Sequence, residues 1–202
     1  DELNWVKLTT ATNEIIIGTS CGMAIRFAVS DLRPLGRSAR GVTSMKLRTG
    51  DSIIGCDIVP RDYDADLLVV TSDGFGKRSK LSEFRAQNRG GIGLIATKFK
   101  SSSSRLVALT IVEEKDEIML VTANGIVTRI KAGDISRQGR PATGVKAQNL
   151  TGNDVVMSVN KIIDPDEEPE LDIKKLDDAD IQIESEIVTE QTSLLDSTEV
   201  EE

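Results

Sequence analysis

The sequence predicts an all-β chain of propeller-type repeats: three four-stranded blades over residues 1–160, then a disordered acidic tail over residues 161–202. Three observations carry this reading. A hairpin phrase recurs as Thr19-Ser20-Cys21-Gly22, Thr71-Ser72-Asp73-Gly74 and Thr122-Ala123-Asn124-Gly125, with its glycines 52 and then 51 residues apart. A second phrase, Gly41-Val42, Gly93-Leu94 and Gly144-Val145, keeps the same step, as do Arg26, Arg78, Arg129 and Arg37, Arg89, Arg140. Finally, residues 1–160 hold 22 Lys+Arg against 17 Asp+Glu, whereas residues 161–202 hold 3 against 16. A fixed period near fifty residues is the mark of stacked repeats, and four short strands per period is the content of a propeller blade.

Each repeat, about 1–50, 51–103 and 104–160, reads in the same order. An opening strand is expected at Leu3–Leu8, Ile53–Val59 and Leu106–Val112, with Val155–Val159 beginning a fourth unit. An apolar second strand follows at Ile15–Thr19, Leu67–Thr71 and Ile118–Thr122. Asp73-Gly74 and Asn124-Gly125 are strong tight-hairpin signals, because both central residues of a type I′ turn need positive φ; Cys21-Gly22 is a weaker version. The third strand is expected at Met23–Phe27, Phe75–Ser79 and Ile126–Ile130. After a polar, glycine-bearing loop the last is expected at Thr43–Leu47, Ile95–Phe99 and Lys146–Leu150. A blade shares its core with its neighbours. Three blades are too few to close a ring, which leaves a fragment, an open arc, or half of a ring completed by a second copy.

Beyond Lys161, the run Asp164-Pro165-Asp166-Glu167-Glu168-Pro169-Glu170 opens a stretch without glycine or aromatics. Such a composition buries too little apolar area to offset the entropy of ordering. Ile181, Ile183 and Ile187 mark a strand or docking segment within it.

Composition narrows the function classes. There is no His in the 202 residues, which removes Ser-His-Asp and Cys-His catalysis and the HExxH metal site. Cys21 and Cys56 stand alone without metal-ligand spacing, fit a reduced cytosolic setting, and read as small buried apolar residues. No run of eighteen apolar residues offers a membrane span. Trp5 reads as a core or inter-blade anchor. Tyr63, in the acidic Arg61-Asp62-Tyr63-Asp64 loop, has no metal-ligand cluster that would make it a nucleophile, and Ser101–Ser104 reads as a flexible turn. A mildly basic body with an acidic tail points to nucleic acid as a partner.

The T-x-[DN]-G hairpin, the Arg in the strand after it, the acid five positions later (Asp31, Glu83, Asp134) and the G-R-x-x-x-G-V loop resemble the repeats of the DNA gyrase A C-terminal domain family. The loop stands as Gly36-Arg37-Ser38-Ala39-Arg40-Gly41-Val42 and Gly139-Arg140-Pro141-Ala142-Thr143-Gly144-Val145, and the resemblance covers residues 1–160. It implies a β-pinwheel, a propeller-like disc of six blades that exchange strands and bend double-stranded DNA around a basic rim. These repeats then match the last three blades, ahead of the natural C-terminus. The acidic tail is typical of gyrase A, with the topoisomerase IV counterpart or a protein-binding propeller scaffold as alternatives. The resemblance also implies a bacterial, cytoplasmic, nucleoid-associated protein that works with the rest of gyrase A and with gyrase B. ATP and Mg are used by that holoenzyme, and no cofactor, metal site or catalytic residue is expected in this chain. Gln87-Asn88-Arg89-Gly90-Gly91-Ile92-Gly93 matches five of the seven positions of the family's Q-[RK]-R-G-G-[RK]-G box and reads as a degenerate loop of the same kind.

The residues expected to contact DNA are the loop cations Arg33, Arg37, Arg40, Arg85, Arg89, Arg137 and Arg140, and the strand or strand-end cations Lys46, Lys77, Lys80, Lys98 and Lys146. Evenly spaced cations meet evenly spaced phosphates, giving affinity without sequence readout. Arg26, Arg78 and Arg129 are equally placed for a structural ion pair in each blade or for DNA. The acidic tail is expected to compete with DNA for the basic rim.

Overall fold

A computed structural model describes residues 3–60 and 63–162. The expected tail from residue 163 on, with Ile181, Ile183 and Ile187, and Arg61 and Asp62 of the acidic loop, lie outside the described residues. The fold is all-β, with no α-helix among the described residues. Its strands are β1 (Glu14–Thr19), β2 (Met23–Ala28), β3 (Ile53–Val59), β4 (Asp66–Thr71), β5 (Phe75–Lys80), β6 (Leu94–Ile95), β7 (Leu106–Val112), β8 (Glu117–Thr122), β9 (Val127–Lys131), β10 (Val145–Lys146) and β11 (Val156–Ile162). Short 3₁₀ turns at Val29–Asp31, Leu81–Glu83 and Ala132–Asp134 follow the inner hairpins.

Three antiparallel sheets result, in the orders β3-β1-β2-β6, β10-β5-β4-β7 and β11-β8-β9. Only the central hairpin of each blade comes from one repeat. The opening strand of a repeat pairs with the hairpin before it: β3 on β1, β7 on β4 and β11 on β8. Its last strand also crosses back, β6 to β2 and β10 to β5. Consecutive blades are therefore linked through backbone hydrogen bonds at both sheet edges.

This exchange corrects several expectations. Leu3–Leu8 is not a strand, because an opening strand pairs with the hairpin before it and no such hairpin lies among the described residues; Leu3, Val6 and Leu8 are 85%, 77% and 69% exposed. Thr43–Leu47 forms no strand for the same reason, and the other last strands shrink to two paired residues each. The third blade has three strands among the described residues, and Lys161 and Ile162 belong to β11 rather than to the tail. The hairpin turns close between Thr71 O and Gly74 N (3.0 Å) and between Thr122 O and Gly125 N (3.0 Å). Each glycine is thus the last residue of its turn rather than part of a central I′ pair, and it carries the positive φ, 79° and 81°.

Alternation along the strands sends side chains to both faces of each blade. Ile16, Leu67, Val69, Leu109 and Ile111 fill the joint between the first two blades, and Leu68, Val70, Ile118 and Leu120 fill the next. All six residues of β4 are consequently buried. The approach of the first two blades needs Gly18, where a Cβ would lie 2.5 Å from Leu109 Cδ1. On the far face of the first blade, Met45 packs over Ile15, Ile17, Ile25 and Phe27.

Candidate nucleic-acid interface

The polar loop and last strand expected of each repeat form one continuous segment lying along the open edge of the preceding hairpin. In the second repeat, Gln87 N donates to Arg26 O (2.7 Å), β6 pairs with Met23 and Ala24, and Ala96 N donates to Gly22 O (2.8 Å). The third repeat repeats this on β5: Gln138 N donates to Arg78 O (2.8 Å) and Ala147 N to Gly74 O (2.9 Å). A Cβ on Gly74 would lie 2.5 Å from Gln148 O, so only glycine allows the segment to pass this closely.

Adjacent segments also bind each other. Gly90 N donates to Ser44 O (2.8 Å), Lys46 N to Gly91 O (2.9 Å) and Thr97 Oγ1 to Ala142 O (3.2 Å). The loop arginines repeat one contact: the Arg89 guanidinium donates to Thr43 O (2.6 Å), and that of Arg140 to Ile95 O, two residues past Gly41 and Gly93 respectively. The segments 33–48, 85–100 and 136–151 thus run side by side along one edge of the protein. The opening strands β3, β7 and β11 pack together along the other.

Extended backbone then sorts the side chains. Met45, Thr97 and Gln148 point in and are buried, whereas Lys46, Lys98 and Asn149 are exposed, and two residues on so are Arg48, Lys100 and Thr151. Arg48 and Lys100 escape the sequence reading although they keep the same 52-residue step; their i, i+2 relation to Lys46 and Lys98 would have revealed them. Lys100 Nζ sits 4.9 Å from the Phe75 ring centroid.

Of the expected contacts, Arg33, Arg37, Arg40, Lys46, Lys80, Arg85, Lys98 and Lys146 are exposed. None of these eight, nor Arg48 or Lys100, forms an ion pair with a described residue. Arg89 and Arg140 are half-buried because they clamp the neighbouring segment. Arg137 is exposed but held by Asp66 (3.0 Å), which raises its pKa.

Lys77 departs from the expectation. It is fully buried, donating from Nζ to Gly139 O (2.8 Å) and to Arg140 O, and so cannot reach a phosphate. Its position, three residues past the turn glycine, is held by Ile25 and Thr128 in the other blades, so the repeat gave no hint of burial. Burial pushes its pKa down to about 8, against the pull of Glu83 and with a further push from Arg140.

Arg26 and Arg78 are structural in this geometry. Arg78 bonds Asp66 and donates to Ile135 O (2.8 Å) and Gly133 O (3.3 Å). Arg26 bonds Glu14 and donates to Leu81 O (3.1 Å). Each ties its strand to the 3₁₀ turn of the following repeat. Arg129 pairs with Glu117 and is exposed, with no following turn to bind among the described residues.

Tyr63 donates its hydroxyl to Glu113; that bond, burial and the charges of Glu113 and Asp116 raise its pKa to about 12, far from what a nucleophile needs. No group of three His, Cys, Asp or Glu that could hold a metal occurs among the described residues, and no helix among them is long and apolar enough to cross a membrane.

Known proteins share both sequence and geometry. The family described as "DNA gyrase C-terminal domain, beta-propeller" matches residues 13–60, 65–113 and 116–162. The gyrase A protein of Synechocystis sp. is 40% identical over 85% of this chain and 24% of its own length; that of Staphylococcus epidermidis is 40% identical over 83% of this chain and 19% of its own. The chain thus spans at most about a quarter of these relatives. A solved C-terminal domain of DNA topoisomerase IV superimposes with a TM-score of 0.72 at 30% identity, covering 77% of this chain and 48% of the other. A DNA gyrase A C-terminal domain gives 0.69 at 32%, covering 77% and 52%. With repeats, strand order and sequence in agreement, the chain belongs to the DNA gyrase C-terminal domain family of β-propeller proteins.

Proposed function

We propose that this chain is a DNA-binding and DNA-bending module of a gyrase-type IIA topoisomerase, gripping double-stranded DNA by its phosphates along the edge formed by segments 33–48, 85–100 and 136–151. One observation carries this reading: cations recurring at the repeat step stand exposed and free of described acidic partners on segments hydrogen-bonded to one another in a row. Such a row neutralises phosphates at intervals and releases counterions, without reading bases. Bending duplex around it costs elastic energy that the added contacts offset.

In this reading the chain is non-catalytic. It acts with the remainder of gyrase A and with gyrase B, which supply the chemistry that uses ATP and Mg, and its work supports negative supercoiling. The alternative is the corresponding module of topoisomerase IV, whose solved C-terminal domain shares the fold. The experiment is energy transfer between dyes at the two ends of a short duplex, titrated with the chain. The ends are expected to approach as protein binds. Binding without approach would leave a phosphate-binding protein that does not bend DNA, and no binding would refute the reading.

A further inference from the structure

The exposed cations thin out along the chain. Five positions, counted from the turn glycines Gly22, Gly74 and Gly125, carry a cation on the edge segment of the first or the second repeat. The first repeat fills all five, with Arg33, Arg37, Arg40, Lys46 and Arg48. The second fills four, with Arg85, Arg89, Lys98 and Lys100, and has Ile92 at the remaining one. The third has Ser136, Arg140, Thr143, Asn149 and Thr151 there, one cation of five, and carries Arg137 and Lys146 at two positions that are uncharged in the other repeats.

The loss is not a consequence of burial. Asn149 and Thr151 are exposed like Lys46, Arg48, Lys98 and Lys100, and Gln148 beside them is buried like Met45 and Thr97. At these last two positions the backbone presents the side chain to solvent in all three repeats, and only the charge is missing. The cations the third segment retains are mostly occupied: Arg140 clamps Ile95 O, and Arg137 pairs with Asp66 and Glu114. Glu83 further places a carboxylate against Arg140 N (2.7 Å). Lys146 alone is exposed and without an ion-pair partner among the described residues of this segment.

We infer that a bound duplex is held along the first and second edge segments and leaves the protein at the third. The inference rests on the DNA-binding reading above and adds a direction to it: the path has a strong end and an exit. Phosphate affinity scales with the number of cations that neutralise phosphates, so a segment with one free cation adds less than its neighbours, which supply five and, with Arg89 clamped like Arg140, three.

The test uses the 202-residue chain and reads the salt dependence of duplex affinity together with a hydroxyl-radical footprint. The paired substitutions Lys46→Gln with Arg48→Gln, and Lys98→Gln with Lys100→Gln, each flatten the log–log salt slope by about two, because each lost phosphate contact removes about one. Lys146→Gln, at the one free cation of the third segment, flattens the slope by less than one lost contact and leaves the footprint along the first two segments in place. Asn149→Lys with Thr151→Lys rebuilds the missing positions, steepens the slope by about two and lengthens the footprint at one end. A Lys146→Gln slope change as large as one lost contact, or an unchanged footprint after rebuilding, overturns the exit at the third repeat while leaving DNA binding intact. Absence of salt-dependent binding by the unaltered chain overturns both readings together.

Discussion

Arg78 and Asp66 form an ion pair almost sealed from solvent: the guanidinium meets the carboxylate at 2.8 Å with side-chain exposures of 5% and 4%. Asp66 lies at the start of β4 and Arg78 in β5, and the arginine goes on to bind Ile135 O and Gly133 O of the next repeat. Removing the carboxylate leaves the buried guanidinium with only the exposed Glu114 (3.3 Å) as counter-charge, and breaking such a buried pair costs about 3–5 kcal/mol. Asp66→Ala is therefore expected to lower the urea midpoint markedly. Glu14→Ala, which frees Arg26 in a setting where the paired side chains are about a fifth exposed, is expected to cost visibly less. Equal losses would mean that burial does not set the worth of these pairs.

Lys77 gives the fold a pH dependence of defined sign. Its pKa is about 8 in the folded chain against 10.5 for a free lysine. Between those values the unfolded chain holds more protons, so stability rises with pH across this window and is lowest below it. Thermal melts from about pH 7.5 to 10 are expected to show that rise, and Lys77→Met, which carries no proton to lose, is expected to remove its share. An identical pH profile for both chains would contradict the depressed pKa.

A side-chain cap at the hairpin turns varies in a way that suggests stabilisation. Asp51 accepts from Cys21 N and Ser52 N at 2.9 Å, and Asp154 from Asn124 N (3.0 Å) and Val155 N (2.9 Å). Burial pushes the pKa of both carboxyls up, but the hydrogen bonds they accept, together, bring it below the usual range. The middle repeat has Ser104 there, its hydroxyl buried and unpartnered, beside a turn that already holds Asp73. Ser104→Asp with Asp73→Asn reproduces the third repeat's pair of Asn124 and Asp154 and is expected to add about 1 kcal/mol; Ser104→Asp alone, with two carboxylates close together, is expected to gain less. Denaturant melts of the two variants decide it.

Much of this was legible in the sequence because repetition makes a chain its own comparison. The turn glycines, the central hairpins and the exposed column through Lys46 and Lys98 followed from spacing. Strand exchange was not legible: an apolar strand such as Ile53–Val59 has the same pattern whether it pairs within its own repeat or with β1. That ambiguity also put a strand at Leu3–Leu8. Lys77 was misplaced because a lysine buried against two carbonyls has no sequence signature when its counterparts are Ile25 and Thr128. Arg78 could not be told from a surface cation until Asp66, twelve residues away, was seen opposite it.

The acidic residues from 163 to 202 yield a prediction from charge alone. If this stretch competes with phosphates for the edge, deleting residues 163–202 tightens duplex binding several-fold at low salt and less at high salt, as screening weakens both. Equal affinities with and without it, measured at two ionic strengths, would end the idea.

In the proposed reading the repeated cations of the edge segments bind DNA by its phosphates. Fluorescence anisotropy of a labelled duplex, titrated with the chain from low to moderate salt, tests this most directly. The affinity is expected to fall steeply with salt, with a log–log slope of about −4 to −8, and to be nearly the same for unrelated sequences. A weak, salt-insensitive or absent interaction would contradict it.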